Sequence, residues 1–364
     1  MSDSPYAYFS KMFQAVPQLM EVQKHAGGVF VSSRNTTIGA TKKLYPDVEI
    51  AKYGSWFTKL SQGYKVLDDA SVIVTGAAGR GILSQFPAKS CMVFHGTYTY
   101  LSKDKLKLCT HYDLLAIIGP RMRRTVDRCR DELGLNAVET GYLPFGSFPE
   151  KTEASKVSSL RDLALNPDKK TIVYMPGGKP YGSWMAMAEK MVFETPREFN
   201  LILRPHPSQG LTSRHDDRQS FKRVSELAKL RTDTLLDLSA CPLAQLFSIA
   251  DLMITDGTSP AEESLFYDVP QMFIKTPLWS KDIIRDIHGN TMYEDDLEQI
   301  MTLFDCGLTY GTESLAPYAI AVYEALNMAE SVRKQRKDYF TWVFGKGDRQ
   351  AGVRVHQAIK DLLN

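Results

Sequence analysis

The sequence predicts an α/β protein made of two doubly wound parallel sheets in tandem. Three observations carry that expectation. Short β-branched apolar runs recur along the 364 residues, longer stretches of helical periodicity separate them, and the alternation restarts after a polar segment near 150–170. At about 100 to 200 residues per domain, the length itself asks for two cores.

In the first half the runs are Gly28–Val31, Ser71–Thr75, Cys91–Phe94, Leu114–Ile118 and Ala137–Thr140. Each ends at Gly, Pro or a polar residue, as a buried parallel strand does. In the second half they are Thr171–Met175, Asn200–Leu203, Thr234–Leu238, Asp251–Thr255 and Pro270–Ile274. The expected division is 1–155, 156–345 and a closing helical segment over 346–364 that can cross back to the first domain. After the breaker GKGD, Val355, Ile359, Leu362 and Leu363 fall at i, i+4, i+7 and i+8, one face of a helix. The opening segment places Phe9, Met12, Phe13, Val16, Leu19 and Met20 at roughly helical spacing. Such a stripe is read as packing on the domain body, with a lipid-facing helix as the alternative.

Hydrophobic residues are 43% and charged residues 24% of the chain, which excludes disorder and fibrous repeats. With 44 Lys and Arg against 42 Asp and Glu, the net charge of +2 leaves no footprint for nucleic acid. An anionic partner must then be met by a local patch. Five cysteines, Cys91, Cys109, Cys129, Cys241 and Cys306, form an odd set without CxxC spacing, against both a disulfide framework and a zinc site. MSDSPYAYFSKMFQ lacks the apolar core of a secretion signal, and no run reaches the about 18 apolar residues of a membrane span. The expectation is a cytoplasmic protein that meets a membrane at most peripherally, at its inner face.

In open parallel sheets ligands bind beyond the carboxyl ends of the strands. Three strand ends carry chemistry there. CMVF runs into His95, Gly96 and Thr97, an imidazole beside a glycine that admits close approach. NLIL runs into Arg204, Pro205, His206 and Pro207, where two prolines stiffen the mount of a second histidine and an arginine offers a planar donor fork. DLMI runs into Thr255, Asp256, Gly257, Thr258 and Ser259, then Pro260, Ala261, Glu262 and Glu263. Ser259 reads as an N-cap with Glu262 closing a capping box, so N–H groups, hydroxyls and the helix dipole would gather to hold a diphosphate. Glu263 or Asp256 is placed to accept bonds from a ribose or substrate hydroxyl.

Two further loops are weaker. GAAGRG at Gly76–Gly81 is not GxGxxG and reads as a turn, with Arg80 a candidate phosphate contact. MPGGKP at Met175–Pro180 reads either as a plain loop or as a nucleotide contact through its glycines and Lys179. Lys103, Lys105, Lys107, Arg121, Arg123, Arg124 and Arg128 cluster in the first domain, as a solvated face or as a surface for phosphates or anionic lipid.

With these segments in order, the chain resembles the CDP-glycerol glycerophosphotransferase family of teichoic-acid and capsule synthesis. ASVIVTG, VFHGT (the family has a WHGTPLK-like motif), ETGYL, IVYMPG, LRPHP and SIADLMITDGTS carry the resemblance. Its most specific stretch, Ile249 to Pro270, is similar to the family's (L/I)(I/S/T)DYSS segment. The resemblance implies the GT-B architecture, an acceptor-side first domain and a nucleotide-donor second domain facing across a cleft. It implies that His95 and His206 are the functional histidines, that Thr258 and Ser259 hold the donor pyrophosphate, and that a glycerol-phosphate unit passes from CDP-glycerol to a hydroxyl of a lipid-linked polymer precursor, releasing CMP. On the chemistry, His95 is the base, His206 with Arg204 stabilises the leaving group, and Mg²⁺ is a cofactor only as an ion arriving with the pyrophosphate. The chain departs from the family at Tyr98, Thr99 and Tyr100 in place of PLK, leaving Lys103 to substitute for the lysine, and at Gly257 in place of tyrosine. Thr255 and Asp256 followed by Glu262 and Glu263 also resemble UDP-N-acetylglucosamine 2-epimerases. That reading, a nucleotide-sugar glycosyltransferase and an inactive nucleotide-binding scaffold are the alternatives.

Overall fold

The computed structural model describes residues 5–54, 58–77, 80–206, 209, 215–239, 242–276 and 280–364. Pro207, Cys241 and the side chain of Arg80 lie outside the described residues.

Runs buried on both faces become parallel strands because helices cover each side of the sheet. Seven strands form the first sheet: β1 (Tyr6–Phe9), β2 (Val29–Ser32), β3 (Ile50–Lys52), β4 (Val72–Thr75), β5 (Lys89–Val93), β6 (Leu114–Ile117) and β7 (Ala137–Glu139), in the order β3-β2-β1-β4-β5-β6-β7. The second sheet has six, β8 (Lys170–Met175), β9 (Phe199–Leu203), β10 (Thr234–Leu236), β11 (Leu252–Thr255), β12 (Gln271–Lys275) and β13 (Gly307–Gly311), in the order β10-β9-β8-β11-β12-β13. Every pairing is parallel. Each order reverses direction once, between β1 and β4 in the first sheet and between β8 and β11 in the second, and such a reversal opens a crevice at the carboxyl edge.

The chain falls into two compact units. One holds 1–147, 288–296 and 341–364; the other holds 148–287 and 297–340. In the first unit Tyr8, Leu19, Met20, Phe30, Val74 and Val93 make the core, joined by Val355 and Ile359 of the closing helix Ala351–Leu363. In the second, Tyr174, Trp184, Leu201, Ile254, Met272 and Tyr318 do the same. The four described cysteines are buried and unbridged.

The opening segment corrects the expectation of a helical stripe beginning at Phe9. Tyr6–Phe9 is a strand, buried at all four residues between β2 and β4, and the helix begins only at Val16. Its apolar side, Val16, Leu19 and Met20, lies in the first core, so these residues face protein and not lipid. The strands β3 and β13 were not expected either. Both lie at sheet edges, β3 is three residues long, and β13 begins and ends in glycine, so neither carries a long apolar run. Among the described residues no helix is long and apolar enough to cross a membrane.

Candidate functional site

In the first unit the site residues gather around the β1–β4 reversal. Gly76, just after β4, packs so closely on the turn after β1 that a Cβ would come within 2.5 Å of the Ala15 methyl carbon. His95, beyond the end of β5, donates from Nδ1 to the Gly76 carbonyl at 2.5 Å. A carbonyl only accepts, so this bond fixes the proton on Nδ1 and leaves the lone pair of the neutral ring on Nε2. Burial holds the imidazole below its ordinary pKa, with the bond to Gly76 pulling the other way. The ring is thus neutral and basic at Nε2 around pH 7.

The loop that follows is fixed from several sides. Gly96 takes a φ of +62°, and its N–H donates at 3.2 Å to the Gln18 side chain when that amide is turned to satisfy both of its ends. Tyr98 sits at φ +48°, edge-on to Phe94 and His95 at 4.7 and 5.4 Å. Thr97, expected as a substrate contact, is only 1% exposed. Its hydroxyl pairs with that of Thr99 at 3.0 Å and its carbonyl accepts from Arg121 at 2.8 Å. Thr97 therefore holds the loop from both its hydroxyl and its carbonyl.

The basic cluster is consumed internally. Lys103 pairs with Glu132, Lys107 with Asp104, Arg123 with Glu139, and Arg124 and Arg128 with Asp295 and Asp296. Arg121 stacks over Trp342 in addition to its bond to Thr97. Lys105 reaches the Tyr100 carbonyl at 2.9 Å and His288 Nδ1 at 3.0 Å, so Lys105, not Lys103, is the lysine that folds back on the loop. Five of the seven cations, Lys103, Lys107, Arg123, Arg124 and Arg128, thus already have carboxylate partners, which reduces the charge they offer to an anionic surface.

In the second unit three loops leave adjacent strands at the β8–β11 reversal. The loop after β8 and the loop after β11 are tied by one buried carboxylate: Asp256 accepts from the Gly177 N–H at 2.6 Å, from the Ser183 N–H at 2.8 Å and from the Ser183 hydroxyl, which also meets the Tyr174 hydroxyl at 2.7 Å. Burial pushes the Asp256 carboxyl up to about 6, against the opposing bonds from Ser183 and Gly177. Asp256 was expected to accept from a ribose or substrate hydroxyl. In the structure both of its oxygens accept from Gly177 and Ser183, and the residue is 4% exposed.

The loop after β9 brings His206 against the same turn. A Cβ on Gly178 would lie 3.2 Å from His206 Nδ1 and 3.4 Å from Cε1. Glycine is therefore what lets the ring lie there. Burial lowers the His206 pKa as well. The two expected cations are neutralised. Arg204 pairs with Asp237, whose carboxyl burial would raise but which Arg204 and Ser239 hold low, and Lys179 pairs at 2.5 Å with Asp217, 1% exposed.

The helix after β11 departs from the expected cap. It spans Ser259–Ser264 with Thr258 as N-cap at φ −102° and ψ −176°, and no side chain closes a capping box. Glu262 is fully buried and accepts from the Tyr339 hydroxyl at 2.8 Å, which takes it away from the helix start. Glu263 is 7% exposed beside it. Gly257, at φ +75°, presses on Phe304, where a Cβ would come within 3.0 Å of the ring. A tyrosine at this position would meet both obstacles.

Sequence reasoning missed Ser183 and Gly177 as partners of Asp256. A serine directly before the apolar helix Trp184–Glu194 reads as an N-cap, yet its hydroxyl makes no capping bond and turns to Asp256.

No protein-family model matches the chain and no curated sequence matches it significantly. Solved structures similar to it include the wall teichoic acid polymerase TagF, at 18% identity over 98% of this chain and 89% of that one, with a TM-score of 0.65. TagF soaked with CDPG matches at 17% identity over 99% and 88%, with a TM-score of 0.63. The S. aureus MnaA–UDP structure matches at 12% over 99% and 96%, with a TM-score of 0.58. UDP-GlcNAc 2-epimerase from Neisseria meningitidis bound to UDP-GlcNAc matches at 11% over 98% and 99%, with a TM-score of 0.56. At these identities the likeness is one of fold: two parallel α/β sheets arranged in sequence as in the GT-B transferases and epimerases.

Proposed function

We propose that the chain is a transferase that moves a glycerol-phosphate or similar polyol-phosphate unit from a CDP-activated donor to a hydroxyl of a lipid-linked polymer precursor, releasing CMP. The observation that carries this reading is the convergence of His206, the glycine turn at 177–178 and the start of the helix at Ser259 on the β8–β11 reversal, where an open sheet takes a nucleotide. Likeness to TagF over nearly the whole chain, including TagF soaked with CDPG, is what supports a CDP-activated donor in this reading.

In the proposed reaction the acceptor oxygen attacks the phosphorus that carries glycerol, while His95 Nε2 takes the hydroxyl proton. The bond from that phosphorus to the CMP oxygen breaks, and CMP departs with the electron pair. His206 and the N–H groups of Thr258 and Ser259 support the departing phosphate. Mg²⁺, in this scheme, arrives with the donor pyrophosphate.

CMP release from CDP-glycerol in the presence of a lipid-linked hydroxyl acceptor tests the reading. The parent should turn over, and His95→Ala should lose about 10²-fold or more while still binding CDP. Consumption of a UDP-sugar with no reaction of CDP-glycerol would move the chain to the glycosyltransferase or epimerase class. Nucleotide binding without any turnover would make it a scaffold.

A further inference from the structure

Among the described residues, Lys179, Arg204 and Lys275 stand at or just beyond the carboxyl ends of β8, β9 and β12, and the first two are already matched, Lys179 by Asp217 and Arg204 by Asp237. The third is Lys275, the last residue of β12. It is exposed and, among the described residues, has no carboxylate partner. Its place is defined by register. Phe273 pairs with Thr255, so two residues further on Lys275 is level with Gly257, immediately before Thr258 and Ser259. The ammonium lies 4.8 Å from the centre of the Phe304 ring, and the edge of that same ring is what Gly257 packs against. Cation–π contact supports the amine sideways and leaves its three N–H donors to an incoming anion. Beside it, Thr276 buries a hydroxyl oxygen that has no hydrogen-bond partner among the described residues.

We propose that Lys275 is a donor-binding residue, its ammonium meeting a phosphate of the activated donor seated at Thr258 and Ser259. The inference rests on the nucleotide-donor reading and supplies the positive charge which Arg204 and Lys179 have given to their own carboxylates. A diphosphate left facing only dipoles would be held weakly, whereas a compact point charge at its edge strengthens every phosphate bond there.

Inorganic pyrophosphate, CDP and cytidine serve as probes, titrated into the full chain and into Lys275→Met and Lys275→Arg at low and moderate salt. Lys275→Met should weaken pyrophosphate and CDP by about tenfold or more and flatten their salt dependence. It should leave cytidine binding and the thermal midpoint where they were. Lys275→Arg should recover most of the affinity. Equal pyrophosphate affinity in the parent and Lys275→Met, or no pyrophosphate binding by the parent, would overturn the assignment. Loss in Lys275→Met in a parent that never releases CMP from CDP-glycerol would sustain the phosphate site and overturn the proposed transfer alone.

Discussion

Asp256 grips Ser183 twice, one carboxylate oxygen accepting its backbone N–H at 2.8 Å and the other its hydroxyl. With the bond from Gly177, this closes the loop after β8 onto the loop after β11 and so shapes the turn on which His206 rests.

An isosteric amide can keep that latch. In Asp256→Asn the amide oxygen accepts both backbone N–H groups, the amide nitrogen donates to the Ser183 oxygen, and the serine proton turns to Tyr174. Asp256→Asn should bind CDP within about threefold of the parent, while Asp256→Ala, which leaves buried N–H groups unsatisfied, should lose about tenfold or more and unfold earlier. Parallel titrations and melting curves check this.

The same carboxyl sets a pH dependence of stability. It titrates near about 3.9 in an unfolded chain and at about 6 in the fold, so between those values the folded state holds more protons. Its contribution is present below about pH 4 and is lost as pH rises through about 6. Denaturant melts of the parent and Asp256→Asn across pH 4–7 should differ in slope over that window, with the parent gaining on acidification relative to the variant.

His206 depends on a missing methyl. Gly178→Ala would push a Cβ to 3.2 Å from Nδ1, tighter than the ring tolerates without shifting. CMP release should fall by about tenfold or more with little change in the melting midpoint. An unchanged rate would detach His206 from the chemistry.

His95 and His206 both have lowered pKa values, so the base form persists below the ordinary histidine range and is lost only on stronger acidification. The acid limb of kcat/KM should therefore fall below pH 6.5, the unperturbed value, and should flatten in the residual activity of His95→Ala.

The strands that were legible, such as Ser71–Thr75 and Asp251–Thr255, are apolar on both faces and end sharply, and the histidines could be found because they stand directly after such runs. Other features depend on partners distant in sequence. The pairing of Asp256 with Ser183, 73 residues apart, leaves no local pattern, and the pairing of Arg204 with Asp237 likewise cannot be read from LRPHP. Phe9 was misread because it continues at helical spacing through Met12 and Phe13 into Val16, Leu19 and Met20, and only the central place of β1 in the sheet separates the strand from the helix.

The basic cluster offers a contrast. Arg123 and Arg124 already pair with Glu139, Asp295 and Asp296. Reversing both charges should leave association with anionic vesicles unchanged in a flotation assay and should lower the thermal midpoint by a few degrees. A clear drop in vesicle binding would assign the cluster to a membrane-facing surface.

The central claim, a cytidine-activated donor held in the second unit, is tested most directly by calorimetric titration of CDP, CMP, UDP and GDP into the full chain under one buffer. The account predicts that CDP binds tightest, by about tenfold over UDP and GDP. Tighter binding of UDP, or no binding of any of the four, would contradict it.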